Sequence, residues 1–128
     1  MIVSLHVATG AAAGVLARSR RRALLLGPLL HVVEDRVPHE DIPSRRFEIT
    51  SGALCLALVA LRRGAFDPAT IGAAAASAPD LEHVMPALRP RGRKLFHGRR
   101  GWHRSGGLPT TIQLLAAGAI LGAVVLRR

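Results

Sequence analysis

Six histidines and eight carboxylates make up the reactive inventory of this chain, and they are clustered rather than spread. His31 and Asp35 stand four apart, so on a helix both project from one face. His39 and Asp41 follow in the run His-Val-Val-Glu-Asp-Arg-Val-Pro-His-Glu-Asp. Asp80 and His83, in Pro-Asp-Leu-Glu-His, stand three apart and share a face if that turn is helical. His97 and His103 lie in an Arg-rich stretch, and His6 lies near the start. A histidine with a carboxylate one turn away can chelate an ion, or the carboxylate can orient the imidazole from behind. Imidazole and carboxylate without thiolate suit Zn, Mn or Fe better than a Cys-type structural zinc site. The candidate metal ligands are therefore His6, His31, Asp35, His39, Asp80, His83, His97 and His103, for a divalent cation with zinc as first choice.

That set exceeds one tetrahedral site, which leaves room for two ions. Water on such an ion has a pKa of about 7 and attacks an ester or phosphoryl centre. A spare carboxylate, Glu34 or Glu82, is then the candidate general base. Arg100 and Arg104, with Arg99, are candidates to neutralise a phosphate, because guanidinium matches its oxygens in bidentate fashion. Each patch also has a plain alternative. His6 alone can be a core histidine, His31 with Asp35 a helix-end pair, Asp80 with His83 a cap, and His97 and His103 solvated loop residues.

The elements that must position these groups read as helices. At 128 residues the chain makes a single domain, 1–128. It is 49% apolar but only 3% aromatic, and Ala, Leu and Arg dominate, which favours helix over sheet and excludes a disordered tail. Five segments are expected: about Ile2 to Ala17, Arg22 to Asp35 with Pro28 as a possible kink, Arg46 to Arg63, Pro68 to about Pro79 with Asp67 as N-cap, and Pro109 to Arg127. A basic loop covers about 84–108. In an up-down bundle the start of each odd helix and the end of each even helix share a pole. Every histidine then falls at one pole, with seven of the eight acids. Arg18, Arg20, Arg21, Arg22, Arg62, Arg63, Arg127 and Arg128 fall at the other, with Asp67.

Arginine clusters separated by long uncharged stretches are also how membrane helices with flanking anchors read. The expected fold is thus an all-α, up-down bundle of about five helices, embedded in a membrane as a multi-pass protein, with a bacterial inner membrane as its location. The pairs Gly10/Gly14 and Gly118/Gly122 would let such helices approach closely. No signal peptide is expected, because the first cations follow the first apolar stretch instead of preceding it. Cys55, alone in an apolar run, excludes an intrachain disulfide framework.

Two motifs carry a family resemblance. Pro79-Asp80-Leu81-Glu82-His83 followed by His97-Gly98-Arg99-Arg100-Gly101-Trp102-His103-Arg104-Ser105 resembles the Pro-Asp-x-Asp-His and His-Arg-Gly-x-Thr-His-Ser motifs of the predicted membrane-bound metal-dependent hydrolases. His6 matches that family's early histidine. His31 to Asp41 resembles the His-xxx-Asp and Asp-xx-Pro-His elements of the related zinc-dependent phospholipase C-like hydrolases. Glu82 stands where the motif has its second Asp, and Arg104 intervenes before Ser105. The resemblance implies a helical, membrane-embedded, zinc-binding hydrolase of phosphodiester or other ester bonds, with phospholipid as a candidate substrate. The alternative is a small non-enzymatic membrane protein whose basic loop, Arg89 to Arg104, binds anionic lipid, or less favourably nucleic acid, through interleaved Arg, Phe96 and Trp102.

Overall fold

The structure, a computed structural model, describes residues 1–127. Arg128, counted above in the basic pole, lies outside the described residues. The chain forms α1 (Val3–Ala17), α2 (Arg20–Asp35), α3 (Arg45–Arg63), α4 (Pro68–Ser77), a one-turn α5 (Leu81–Val84) and α6 (Thr110–Leu126). The five longer helices are the five expected segments, and no strand occurs among the described residues.

Two boundaries shift for a local reason. Ser19 accepts a hydrogen bond from the Arg22 amide, so α2 begins at Arg20 rather than Arg22. Ser44 caps α3 through the Phe47 amide, so that helix begins at Arg45. Asp67 caps α4 as expected, accepting from the Ala69 amide at 2.8 Å. Helix α4 stops at Ser77, and the chain continues through a 3₁₀ turn, Ala78–Asp80, into α5. That turn carries Asp80 and His83 on consecutive short helices. Two further 3₁₀ turns, Pro86–Leu88 and Pro90–Gly92, give the basic loop local structure.

Helix α1 is the central strut and touches α2, α3, α4 and α6. Its composition explains this: apolar and small residues occupy all its faces, and Leu5, Val7, Ala8, Gly10, Ala11 and Gly14 are buried. Gly10 and Gly14 permit the α1–α4 contact, since a Cβ on either would collide with the backbone of Gly72 or Pro68. The second small-residue pair behaves differently. Gly118 and Gly122 face open space, so they make no close helix approach here. The core is completed by Val59, Ala69, Ala73, Ala117, Leu121 and Val124.

The two poles are sorted as the up-down pattern requires. At the basic pole Arg63 Nε lies 3.6 Å from Asp67, and Arg63 Nη1 donates to the Arg127 carbonyl at 2.9 Å. No helix among the described residues is long and apolar enough to cross a membrane. With 17 residues, α6 is about 25 Å long, short of a hydrocarbon core of about 30 Å. Helix α3 has 19 residues but carries Arg45, Arg46, Glu48, Arg62 and Arg63. The expectation of multi-pass embedding thus finds no spanning helix to support it.

Candidate metal centre

The histidine pole brings together all eight residues singled out as metal ligands. His6 comes from the first turns of α1, His31 and Asp35 from the last turns of α2, Asp80 and His83 from the turn after α4, and His39, His97 and His103 from the loops. They form four overlapping groups: His6 with His31 and Asp80; His31 with Asp35 and His97; Asp35 with His39 and His103; Asp80 with His83 and His97. In each, the donor atoms lie within 4.8 Å of one another, the spacing that could hold a metal ion.

The closest convergence is the triad of His31, Asp35 and His97, with Asp80 beside it. His31 Nε2 and His97 Nε2 face each other at 3.3 Å. Asp35 Oδ2 is 3.4 Å from the first and 3.2 Å from the second. Asp80 Oδ1 is 3.9 Å from the first and 3.4 Å from the second. A tetrahedral zinc with bonds of roughly 2.0–2.1 Å requires ligand atoms about 3.3–3.4 Å apart, the edge of the tetrahedron. The second oxygen of Asp80 is buried and has no hydrogen-bond partner. Such an orphan atom, and two imidazole nitrogens turned on each other, are what a cation would satisfy.

Four of the six rings are held on the far side as a ligand's would be. His31 Nδ1 donates to the Ala76 carbonyl at 2.9 Å, and His39 Nδ1 to the Val37 carbonyl at 2.7 Å. His97 Nδ1 donates to Glu82 at 2.7 Å, and His6 Nδ1 to Glu34 at 2.6 Å. These bonds place the proton on Nδ1 and turn Nε2 of each ring inward. Glu34 and Glu82, expected as general bases, are therefore engaged behind histidines. Glu82 also accepts the backbone amides of Leu95, Phe96 and His97, which folds the basic loop over the site.

A second corner surrounds His39 and His103. His103 Nδ1 is 3.3 Å from Asp35 Oδ2, and its Nε2 is 3.3 Å from Asp41. His39 Nε2 is 3.2 Å from Asp41 Oδ1, and the Met1 amine bonds both Asp35 and His39. Asp35 belongs to both corners, its Oδ2 lying 3.2 Å from His97 Nε2 and 3.3 Å from His103 Nδ1. The backbone locks this corner: the His39 amide donates to the Arg104 carbonyl, the Arg104 amide to Asp35, and the Gly106 amide to His39. Gly107 adopts φ +102°, and a Cβ there would press on Pro38. Arg104 thus serves through its backbone, while its side chain and that of Arg100 are exposed.

Protons are divided unevenly without a metal. Burial opposes charge on His97, yet Asp35, Asp80 and Glu82 outweigh it and hold the ring up at about 10. Burial likewise opposes charge on His6, but hydrogen bonds to Asp35 and Glu34 raise it to about 9. His31 is pushed down to about 4 by burial and by the charge on His6. His83 falls to about 4 through burial, His97 and Lys94. Asp35 is held well below the carboxylate range; burial works against this, and bonds from His6 and His97 prevail. Protonated rings thus stand beside ionised carboxylates, the charge balance a cation would take over.

Sequence reasoning missed two participants. Gln113 is fully buried and ties three elements at the site's base: its Oε1 accepts the Ile2 amide at 3.1 Å, and its Nε2 donates to the carbonyls of Glu40 and Leu108. Its signal was a lone amide in the apolar run Thr110 to Leu126. Glu48 lines the adjoining cavity; as an acid in a helix's first turn it reads simply as a charge favouring the macrodipole. Comparisons with protein-family models, curated proteins and solved structures find no match to this chain, so its site is identified by geometry alone.

Proposed function

We propose that this chain is a membrane-associated, zinc-dependent hydrolase of ester or phosphodiester bonds. The observation that carries the reading is the convergence of His31 Nε2, His97 Nε2 and Asp35 Oδ2 at 3.2–3.4 Å from one another, with Asp80 Oδ1 3.4 Å from His97 Nε2 and each imidazole fixed from behind. Bound there, a divalent cation supplies Lewis acidity and a water of pKa about 7. The resemblance to the membrane-bound metal-dependent hydrolases runs through the same residues, from Pro79 to His83 and from His97 to Ser105.

A cavity of about 650 Å³ adjoins the cluster, reached by Asp80, His83, His97 and His103. Its wall is largely apolar, from Val3, Ile42, Ile49, Leu56 and Val84, with Arg45 and Lys94 at its polar side. This mixture suits an ester with an aliphatic portion and an anionic head, as a phospholipid has. Membrane association is supported by apolar side chains left in solvent: Leu25, Leu29, Leu54, Leu61 and Leu115 are each more than 60% exposed, on α2, α3 and α6.

The test is hydrolysis of 4-nitrophenyl butyrate and bis(4-nitrophenyl) phosphate by zinc-loaded protein. Turnover that a chelator removes and zinc restores supports the reading. A zinc-loaded protein inert towards both contradicts it. One observation favours the second reading, a loop that grips anionic lipid: Arg99 and Arg36 flank Trp102, with guanidinium carbons 4.8 and 5.6 Å from the ring centroid. Vesicle binding that falls with salt and with Trp102→Ala, without turnover, is its signature.

A further inference from the structure

Hydrolysis needs a group that moves protons, and the carboxylates around this site are unequally free. Glu34 is bound to His6. Glu82 accepts from three backbone amides and the His97 ring. Asp35 is shared among His6, His31, His97 and His103. Glu48 differs. It projects from the first turn of α3 into the cavity wall, and its Oε1 is buried with no hydrogen-bond partner. A buried carboxylate oxygen left without a hydrogen-bond partner is rare in folded proteins, and here it belongs to a residue of the cavity lining.

The groups around it are the Met1 amine and Val3 backbone of α1, Asp41 of the loop after α2, Asp80 after α4, and Arg45 on its own helix. His83 of α5 and Lys94, His97 and His103 of the basic loop complete the cavity's polar lining. Burial and the Asp80 charge push the Glu48 carboxyl up to about 7, so acid and base forms coexist near neutral pH.

We propose that Glu48 is the proton carrier of the hydrolytic reaction, acting from the wall of the cavity in which the substrate lies. The inference rests on the hydrolase reading. As the water oxygen bonds to the carbonyl carbon or phosphorus, one of its protons passes to the Glu48 carboxylate. As the bond to the leaving oxygen breaks, Glu48 gives that proton to it, and an alcohol departs. The second water proton leaves with the product acid. Glu48 ends as it began, and the products differ from the substrate by one water.

The experiment compares zinc-loaded wild type, Glu48→Gln and Glu48→Asp on phenyl and 4-nitrophenyl butyrate and on the methyl phosphodiesters of the same two phenols. Zinc content is measured on every sample. Glu48→Gln is expected to keep its zinc and its KM while kcat falls by roughly 10²–10⁴-fold. The loss is larger for the phenyl compounds, whose poorer leaving group depends more on a proton, and Glu48→Asp recovers part of it. In parallel, ¹³C NMR of the carboxyls of the four glutamates follows one that titrates near neutrality and is missing from Glu48→Gln. Unchanged kcat with zinc in place overturns the proposal while leaving the hydrolase reading standing. An equal loss on both leaving groups together with lost zinc marks a structural role and also overturns it. A zinc-loaded wild type that cleaves none of the four compounds overturns both.

Discussion

Asp35 and His97 meet at 3.2 Å between the end of α2 and the basic loop, and this contact joins the helical bundle to the segment that covers it. Asp35 also lies 3.1 Å from His6 and 3.4 Å from His31, so one buried carboxylate serves rings from three parts of the chain. Removing its charge takes one counter-ion from each of the protonated His6 and His97, which keep Glu34 and Glu82; breaking a buried pair costs up to about 3–5 kcal/mol. Asp35→Asn is expected to lower stability on that scale in denaturant titrations of the metal-free protein, and to free the loop to hydrogen exchange at Leu95 to His97.

Glu82 gives a finer probe of the same contact. Its bond to His97 Nδ1 at 2.7 Å orients a proposed ligand without being one. Substitutions of such supporting groups weaken metal binding by roughly 10–100-fold. Glu82→Gln is expected to raise the zinc Kd by that factor in competition with a chromophoric chelator. Glu40→Gln, whose carboxylate is exposed, is expected to leave the zinc Kd unchanged.

The proton inventory predicts a pH optimum for the metal-free protein. His6 and His97 have folded pKa values of about 9 and about 10, above the 6.5 of an unfolded histidine. Their contribution is complete below 6.5 and is lost as pH rises through 9 to 10. His31 and His83, both at about 4, act at the other limb: the unfolded chain binds more protons between 4 and 6.5, so stability falls as pH drops through that window. The unfolding midpoint should therefore peak near pH 6.5, falling steadily as pH rises from there to 9–10 and again as pH drops towards 4. Zinc must displace protons from His6 or His97, so calorimetry in buffers of different ionisation enthalpy should record proton release at pH 7.

The two glycine pairs make a paired prediction. Gly10→Ala forces a methyl into the backbone of Gly72 and should destabilise by about 1–3 kcal/mol. Gly118→Ala and Gly122→Ala meet nothing and should stabilise α6 by up to about 1 kcal/mol each through helix propensity. Thermal unfolding of the three variants checks both.

Those pairs also show where reading the sequence stops. Gly10/Gly14 and Gly118/Gly122 have the same spacing, and only packing distinguishes a contact from an open face. Helices α4 and α6 were legible from local signals, the Asp67-Pro68 start and the apolar run from Thr110 with its single Gln113. The gathering of His6, His31, Asp80 and His97 was legible too, since alternating helix direction alone sends them to one pole. The direction of a side chain within that pole was not. Glu34 and Glu82 read as spare carboxylates, yet each is turned behind a ring by a bond no spacing encodes. Glu48 and Gln113 were hidden because their roles depend on long-range neighbours, the cavity in one case and Ile2 in the other.

Metal binding at the histidine pole is the property on which the proposed chemistry depends. Elemental mass spectrometry of the protein, purified without added metal and then dialysed against zinc, measures it directly. The account predicts at least one tightly held zinc per chain that persists through gel filtration and is lost in both His31→Ala and His97→Ala while the helical circular dichroism remains. Zinc at trace level in the wild type, or an unchanged content in both variants, would contradict it.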